Sequence, residues 1–338
     1  MEKLYSNEIK NDIYSNGKNI EDALHSLNIP CVFLEAISTI YSKSYYFKLT
    51  NVLAVNKLDK VVKPLEVLLS AQEGELSIAL TPNHPTAHFC LTVETTAQKP
   101  IPLSNYKDML KVLPHTMMYG IEISTGEVVY SNLLDNPHLL IAGASGSGKS
   151  VLLHNIIDSL SKYSKTNLSF ILIDTKQVEF AQYEKSNDML ACPICYDTNT
   201  AIRTLRALCY TMEERFAKMR QNGLKVYDGT KWVVVIDEFA DLMLSDKKQI
   251  EPLIVKIAQM GRACGIHLVI ATQRPSVDVC TGLIKANIPD RIALKCASVR
   301  DSMVILDKKG AETLKGKGEA LVRINNEIKK IKCFYKGE

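Results

Sequence analysis

A glycine-rich stretch that ends in lysine and serine is the feature of this sequence best suited to chemistry. Residues 143–150 read GASGSGKS and fit the pattern G-x-x-x-x-G-K-[ST]. The glycines let successive backbone N–H groups turn inward around a phosphate, because no Cβ obstructs them. Lys149 would then reach the β and γ phosphates of ATP, and Ser150 would ligate Mg²⁺. The residues predicted to contact the nucleotide are Gly143, Ala144, Ser145, Gly146, Ser147, Gly148, Lys149, Ser150 and Val151.

Two adjacent carboxylates form the second candidate group. Asp237 and Glu238 directly follow the aliphatic run VVVI. We expect Asp237 to bind Mg²⁺ together with Ser150, and Glu238 to orient and deprotonate the water that attacks ATP. Paired acids after a strand can instead cap a helix. The presence of the phosphate loop in the same sequence favours the hydrolytic interpretation.

These groups need a framework that brings them to one place. The apolar run LLIA before the loop and the apolar periodicity after it predict strand, turn and helix. Helices at 149–162, 198–220 and 248–263 then alternate with the apolar strands LSFILID, WVVVID and HLVIAT. This alternation indicates a mostly parallel sheet with both faces covered, an α/β fold. Ligands bind at the carboxyl edge of such sheets, where Gln273 at the third strand end could sense the γ phosphate.

The predicted domains follow from the same pattern. Residues 1–18 are polar and are expected to form a flexible lead-in. Residues 19–102 predict a small α+β domain, in which a helix capped by Asn19 precedes two strands, a second helix and a strand pair. Residues 103–338 predict the P-loop domain, which opens with a hairpin around Thr125 and Gly126.

Composition sets limits on location and partners. The chain has 338 residues, of which 46% are hydrophobic and 23% charged, as in ordinary soluble proteins. It has no signal-peptide pattern and no apolar run approaching the ~18 residues of a membrane span. Nine cysteines among apolar neighbours indicate reduced thiols. We therefore expect a cytoplasmic protein without a membrane segment, whose net charge of +4 permits a nucleic-acid partner without requiring one.

Two groups of potential metal ligands are weaker candidates. His84, His88 and Cys90 lie around a proline-interrupted loop without a fourth ligand nearby. Cys192 and Cys195 form a C-x-x-C pair with no second pair at the spacing of a zinc ribbon. We interpret both groups as structural.

Three stretches resemble the FtsK/SpoIIIE family of DNA-translocating ATPases. They are GASGSGKSV, VVVIDEFADLM and the long run at 261–322, which begins GRACGIHLVIATQRPSVDV. The N-terminal α+β region is similar, more weakly, to the small domain that precedes the motor in that family. The resemblance implies a RecA-like motor domain and a homo-hexameric ring. Such a ring threads double-stranded DNA through its centre by hydrolysing ATP between subunits.

The resemblance also implies roles for individual residues. Lys149 and Ser150 would contact phosphate and Mg²⁺, Asp237 and Glu238 would be the hydrolytic acids, and Gln273 would be the sensor. A ring ATPase needs an arginine from the neighbouring subunit to stabilise transition-state charge. We favour Arg262 for this role, with Arg215 and Arg274 as the alternatives.

The DNA-binding surface is expected in one of two segments. The loop at 276–291, with Lys285 and Asn287, is the first candidate, and residues 218–225 are the second. Either could instead be an ordinary solvated face. Contacts to phosphates rather than to base edges would be tolerant of sequence and sensitive to salt.

The function predicted from these observations is ATP-driven translocation of double-stranded DNA. One alternative is a conjugation or secretion coupling ATPase that moves a protein or nucleoprotein. A nucleotide-dependent assembly protein is a further alternative, although it would not need Glu238. Long family members carry membrane helices before the motor and a winged-helix domain after it. Since this sequence shows neither, we expect a stand-alone motor, although an excised fragment would look the same.

Overall fold

A computed structural model describes residues 7–39, 41–69, 76–82, 84–94, 100–161, 167–186 and 188–335, with side chains from residue 16 onward. The α-helices are α1 (Asn7–Ser26), α2 (Leu58–Leu68), α3 (Lys107–Val112), α4 (Lys149–Ser161), α5 (Thr198–Gln221), α6 (Phe239–Cys264), α7 (Gly282–Asn287) and α8 (Val299–Leu306). Short 3-10 helices occur at Val52–Lys57, Leu103–Tyr106, Ala181–Tyr183 and Ala311–Thr313.

The strands belong to two sheets. Those of the first are β1 (Cys31–Ser38), β2 (Ser42–Leu49), β3 (Leu76–Leu80) and β4 (Phe89–Glu94). Those of the second are β5 (Thr116–Glu122), β6 (Val128–Asn132), β7 (His138–Ala142), β8 (Leu168–Ile173), β9 (Lys231–Ile236), β10 (Ile266–Thr272), β11 (Asp290–Leu294), β12 (Glu319–Ile324) and β13 (Glu327–Cys333).

The chain divides into two compact units. The first comprises Met1–Lys99 together with Glu122–Glu127, the tip of the β5–β6 hairpin. The second comprises Pro100–Ile121 and Val128–Glu338. The sequence pattern had suggested a boundary between residues 102 and 103 and did not indicate that a hairpin tip from the second segment groups with the first.

The first unit is a four-stranded antiparallel sheet with strand order β1-β2-β4-β3. Its core includes Phe47, Phe89, Leu24 and Leu65, so that α1 and α2 bury their apolar sides with the sheet. One prediction was wrong here. Residues 7–18, predicted as a flexible lead-in, are the first turns of α1, and Gly17 packs so closely on Phe33 that a Cβ would lie 2.5 Å from the ring. Residues 1–6 lie outside the described part of the chain.

The second unit has a nine-stranded sheet with strand order β6-β5-β13-β12-β11-β7-β10-β9-β8. The block β11-β7-β10-β9-β8 is parallel, as the alternating helices and apolar strands predicted. Strand β12 pairs antiparallel with β11, and β13 pairs antiparallel with β12. The predicted α/β fold with a buried parallel sheet is confirmed, and antiparallel strands extend it on one side.

Helices cover both faces of this parallel block. Leu152 and Ile156 of α4 pack on one face with Leu139 and Val235. The other face is covered by α5 and α6, whose buried residues join a separate cluster with Leu140 and Val234. Alternate residues of each strand therefore enter different cores, which is why these strands are apolar throughout.

The strand register aligns the ends that carry the predicted site. Thr272 of β10 pairs with Ala142 of β7, and Ile270 pairs with Ile236 of β9. Gly143, Asp237 and Gln273 therefore leave the sheet at one edge. Helix α6 begins at Phe239, nine residues before the predicted start, and is kinked at Asp246, whose φ of −152° is not helical. Within the described residues, no helix is both long enough and apolar enough to cross a bilayer.

Candidate active site

Backbone hydrogen bonds to neighbouring segments fix the conformation of the phosphate loop. The N–H of Gly143 donates to the Thr272 carbonyl at 3.2 Å, and the N–H of Ala144 donates to the Lys295 carbonyl at 2.8 Å. On the other side, the N–H of Gly318 donates to the Ser147 carbonyl at 2.8 Å. The loop is thus fixed by the ends of β10 and β11 and by the turn before β12.

Two glycines of the loop are required by space and conformation. Gly148 has a φ of 106°, and a Cβ there would lie 2.9 Å from the backbone nitrogen of Gly318. Gly143 would place a Cβ 2.5 Å from Ser147 Oγ and 2.9 Å from Leu294 Cβ. The pattern G-x-x-x-x-G therefore reflects both a left-handed backbone and close packing.

Lys149 and Asp237 form a buried ion pair at the base of the loop. Lys149 Nζ lies 2.5 Å from Asp237 Oδ1 and donates to the Asp237 carbonyl oxygen at 2.8 Å. Burial raises the pKa of Asp237 above its ordinary value, and the positive charge of Lys149 counters part of that rise. Glu179 and Asp174 raise the Asp237 pKa further, which shows that several carboxylates share this edge.

Glu238 is 2% exposed, and both of its carboxylate oxygens accept hydrogen bonds. Thr272 Oγ1 donates to Oε1 at 2.8 Å, and the backbone N–H of Gln273 donates to the same oxygen at 3.0 Å. Lys176 Nζ donates to Oε2 at 3.0 Å. Burial alone would raise the pKa of Glu238, but the bonds from Thr272 and Lys176 outweigh it and leave that pKa below its ordinary value. The carboxylate therefore remains ionised and able to accept a proton.

Ser150 has a partner that the sequence reasoning missed. Its hydroxyl donates to Glu179 Oε1 at 2.6 Å. Glu179 lies in the loop after β8, where the buried Asp174 accepts hydrogen bonds from the backbone N–H groups of Glu179 and Phe180, both at 2.9 Å. The sequence held one signal for this acidic loop: Asp174 directly follows the apolar strand LSFILI. It occupies the same position after β8 as Asp237 does after β9.

The donor set at this edge fits a hydrated divalent cation. Carboxylate and hydroxyl oxygens are the ligands that Mg²⁺ prefers, and Asp237 and Ser150 supply one of each. Asp174 Oδ1 is buried and has no hydrogen-bond partner among the described residues. A cluster of acids in which burial disfavours the charge of Asp237 is one that a bound cation would stabilise.

The three candidate arginines have different environments. Arg215 is buried, lies between the rings of Tyr227 and Trp232 at 4.3 and 4.4 Å, and donates to the Cys264 carbonyl at 2.8 Å. It is therefore a structural residue rather than one that reaches another subunit, and its place among the candidates was wrong. Arg262 is exposed at the end of α6, and its Nε donates to the Leu134 carbonyl at 3.0 Å. Arg274 is exposed beside Gln273.

Two cations of the first predicted DNA-binding segment are engaged within the chain. Lys285 Nζ lies 2.6 Å from Asp307 Oδ1, and Arg291 NH1 lies 2.6 Å from Asp307 Oδ2. Arg323 joins the same carboxylate at 2.9 Å. Burial acts against the charge of Asp307, but Lys285 and Arg291 lower its pKa to about 2. Asn287 donates to the Leu283 carbonyl of its own helix. In the second segment, Lys218, Arg220 and Lys225 are exposed.

The weaker metal candidates have ordinary protein partners. His84 Nε2 lies 3.0 Å from a Glu35 oxygen, and the N–H of Leu49 donates to His88 Nδ1 at 3.2 Å. No group of three or more histidine, cysteine or acidic residues with metal-binding geometry occurs within the ranges that the structure describes.

Sequence comparisons place this site in a known family. The sequence profile of the FtsK/SpoIIIE family matches residues 110–232 and 230–277, which include the phosphate loop and the paired acids. DNA translocase SftA of Bacillus subtilis is 44% identical over 234 residues, covering 65% of this chain and 24% of that protein. DNA translocase FtsK of Chlorobaculum tepidum is 40% identical over 273 residues, covering 72% of this chain and 34% of that protein. The chain thus spans about a quarter to a third of the length of these relatives.

The fold also matches a solved structure along nearly the whole chain. The pCW3 conjugation coupling protein TcpA, solved in its monomer form with ATPgS, superposes with a TM-score of 0.67 at 22% identity. The match covers 96% of each chain, and at this identity it shows a shared fold. The profile match and the identities of 44% and 40% show that the chain belongs to the FtsK/SpoIIIE family.

Proposed function

We propose that this chain is an ATPase motor that moves double-stranded DNA, works in the cytoplasm as a homo-hexameric ring, and hydrolyses ATP at the interfaces between subunits. Family membership and relatives named as DNA translocases support the proposal. The observation that carries it is the meeting of Lys149, Asp237 and Glu238 at one edge of the parallel sheet.

The arrangement of these residues suits hydrolysis of a triphosphate. Lys149 is positioned at the start of α4, where the helix N-terminus also favours phosphate. Mg²⁺, held by Ser150 and Asp237, would neutralise charge that develops on the phosphates. Glu238 would accept a proton from the attacking water. The oxygen of that water bonds to the γ phosphorus while the bond from the γ phosphorus to ADP breaks. Thr272 and the backbone of Gln273 hold the Glu238 carboxylate in place for that step.

Arg262 is the residue we propose to act in trans. Glu238 precedes the first turn of α6 and Arg262 lies in its last turn. Because α6 runs back from the carboxyl end of β9 to the amino end of β10, where Ile266 pairs with Trp232, the two residues lie at opposite edges of the sheet, about 20 Å apart at about 3.3 Å per strand residue. Arg262 therefore cannot serve the site of its own chain, whereas Arg274 lies on the same sheet edge as that site. Only a neighbouring subunit could bring an Arg262 guanidinium to the phosphates.

The DNA contacts that we propose come from the second basic segment. Lys218, Arg220 and Lys225 are exposed near the end of α5, whereas Lys285 and Arg291 already bind Asp307. Exposed cations would contact phosphates without reading base edges, which suits a motor that moves along any sequence.

ATP hydrolysis measured with duplex DNA, with single-stranded DNA and without DNA tests this function. We expect duplex DNA to raise the rate most, with a stimulation that falls steeply as salt rises, because phosphate contacts release counterions. The variant Lys218→Gln/Arg220→Gln should weaken the stimulation and flatten the salt dependence. Equal rates with and without duplex DNA would contradict the proposal.

A conjugation or secretion coupling ATPase is the second candidate. The shared fold with TcpA covers 96% of this chain, so it includes the region before the motor as well as the motor. The shared fold is compatible both with DNA translocation and with a conjugation or secretion coupling activity. The same assay separates them, because a motor for a protein substrate would not respond to duplex DNA.

A further inference from the structure

The loop that follows β8 brings a third acidic residue to the nucleotide site. Glu179 Oε1 accepts the hydroxyl proton of Ser150 at 2.6 Å, and its side chain is 24% exposed. The proposed function has Mg²⁺ held by Ser150 and Asp237. Glu179 is thus a carboxylate in contact with a proposed Mg²⁺ ligand and without an assigned role.

Hydrogen bonds from the backbone of Glu179 and its neighbour to Asp174 fix the position of Glu179. Asp174 is fully buried at the carboxyl end of β8, and its Oδ2 accepts the backbone N–H groups of Glu179 and Phe180. Because Asp174 terminates a strand that pairs with β9, the same sheet edge fixes both Asp237 and the backbone of Glu179.

The other oxygen of Glu179 is also oriented. His154 Nε2 lies 3.6 Å from Glu179 Oε2, and His154 Nδ1 lies 2.8 Å from the Tyr183 hydroxyl. Gln182 Nε2 lies 3.1 Å from His154 Nδ1 and 3.2 Å from His154 Nε2, so Tyr183, Gln182 and Glu179 surround the ring. His154 is one turn beyond Ser150 on α4, so one helix face positions both groups that contact the carboxylate.

The direction of the Ser150 hydrogen bond has a chemical consequence. A serine hydroxyl has one proton and two lone pairs. When the proton points to Glu179, the lone pairs remain available to a cation. A carboxylate in contact with Ser150 can also accept a hydrogen bond from the water molecules that Mg²⁺ usually keeps. Residues that orient metal ligands in this way typically contribute about 10- to 100-fold to metal affinity.

We propose that Glu179 is a positioning residue for Mg²⁺: it fixes the Ser150 hydroxyl and accepts a hydrogen bond from the hydration shell of the cation. This role rests on the proposed ATPase function. The opposite role is that Glu179 occupies the place of the cation and must be displaced, in which case its removal would strengthen Mg²⁺ binding.

The two roles give opposite results in a binding experiment. The Glu238→Gln background slows turnover, and binding of a fluorescent ATP analogue is measured across a Mg²⁺ titration and in EDTA. Glu179→Met removes acceptor and charge, whereas Glu179→Gln keeps one acceptor oxygen. Glu184→Gln is the matched control, since it is an exposed acid in the same segment.

We expect Glu179→Met to need about 10- to 100-fold more Mg²⁺ for half-maximal binding, with unchanged affinity in EDTA. Glu179→Gln should raise the Mg²⁺ concentration for half-maximal binding by a smaller factor. If the methionine variant does not fold, the result for Glu179→Gln decides between the two roles. An unchanged or a lowered Mg²⁺ requirement in a folded variant would overturn the proposal. Absence of nucleotide binding in the Glu184→Gln control would instead contradict the ATPase function itself.

Discussion

Lys149 Nζ lies 2.5 Å from Asp237 Oδ1, and both side chains are only 3% exposed. Lys149, which we propose binds phosphate, thus neutralises Asp237, which we propose binds Mg²⁺. A nucleotide with its cation would offer each group a new partner of opposite charge. The ion pair thus lets two charged groups be buried together, since either one alone would be costly to bury.

Replacing Lys149 should therefore destabilise the motor unit as well as abolish ATP binding. Lys149→Met leaves Asp237 buried without its counter-charge, which should cost about 3–5 kcal/mol of unfolding free energy. Urea denaturation without nucleotide, followed by the fluorescence of Trp232, the single tryptophan, measures this cost. The double variant Lys149→Met/Asp237→Asn should recover most of it. Equal stability of the single and double variants would contradict the argument.

Glu238→Gln should separate ATP binding from hydrolysis. Glutamine keeps the shape of the side chain and an oxygen for Thr272, but it cannot accept the proton of the attacking water. We expect turnover to fall by about 10²- to 10⁴-fold with nucleotide affinity unchanged. Steady-state ATPase rates and equilibrium binding test this, with Glu214→Gln on the exposed face of α5 as the control. Unchanged turnover would remove Glu238 from its role.

Two inactive variants should restore activity to each other if Arg262 acts across a subunit boundary. A ring that mixes Arg262→Ala with Lys149→Ala contains interfaces in which an intact Lys149 faces an intact Arg262. We expect a measurable part of the ATPase rate to return on mixing. Arg206→Ala, an exposed change on α5, should retain activity alone. No recovery in rings shown to be mixed would favour Arg274.

The motor unit should lose stability in acid because it buries two neutral histidines. Burial lowers the pKa of His138 to about 3 and that of His267 to about 4, against an ordinary value of 6.5. The unfolded chain takes up these protons first, so stability present above pH 6.5 falls as the pH drops towards 4. The raised pKa of Asp290, about 6, acts in the opposite direction.

The variant His267→Gln isolates one of these groups, since Asp290 is common to both proteins. Between pH 6.5 and 4, the wild-type protein should lose about 1.4 kcal/mol more unfolding free energy per pH unit than the variant. Urea midpoints across this range give the comparison. Parallel pH profiles would show that His267 does not titrate on unfolding.

The position of the candidate active site was predictable because its residues lie at the ends of clearly apolar strands. Once the strands are parallel, the ends of β7, β9 and β10 meet at one edge, and this brings Lys149, Asp237 and Gln273 together. Motif spacing and strand order sufficed for this part of the site.

The partners of that site were not predictable in the same way. Glu179 lies in an irregular loop with no periodicity, and only the fold of that loop around Asp174 brings it to Ser150. Arg215 could not be told from a surface arginine, because the rings that enclose it, Tyr227 and Trp232, come from a later loop and strand. Lys285 resembled a DNA contact because the sequence does not show that Asp307 folds back on it.

Displacement of a third strand from duplex DNA tests the central claim most directly, because it reports movement along DNA. The protein is added with ATP to a duplex that carries a labelled triplex-forming oligonucleotide. We predict release that requires ATP and Mg²⁺, is lost in Lys149→Ala and Glu238→Gln, and weakens as salt rises. ATP hydrolysis without any release of the third strand, in buffer where the DNA is bound, would contradict the claim that this chain is a DNA motor.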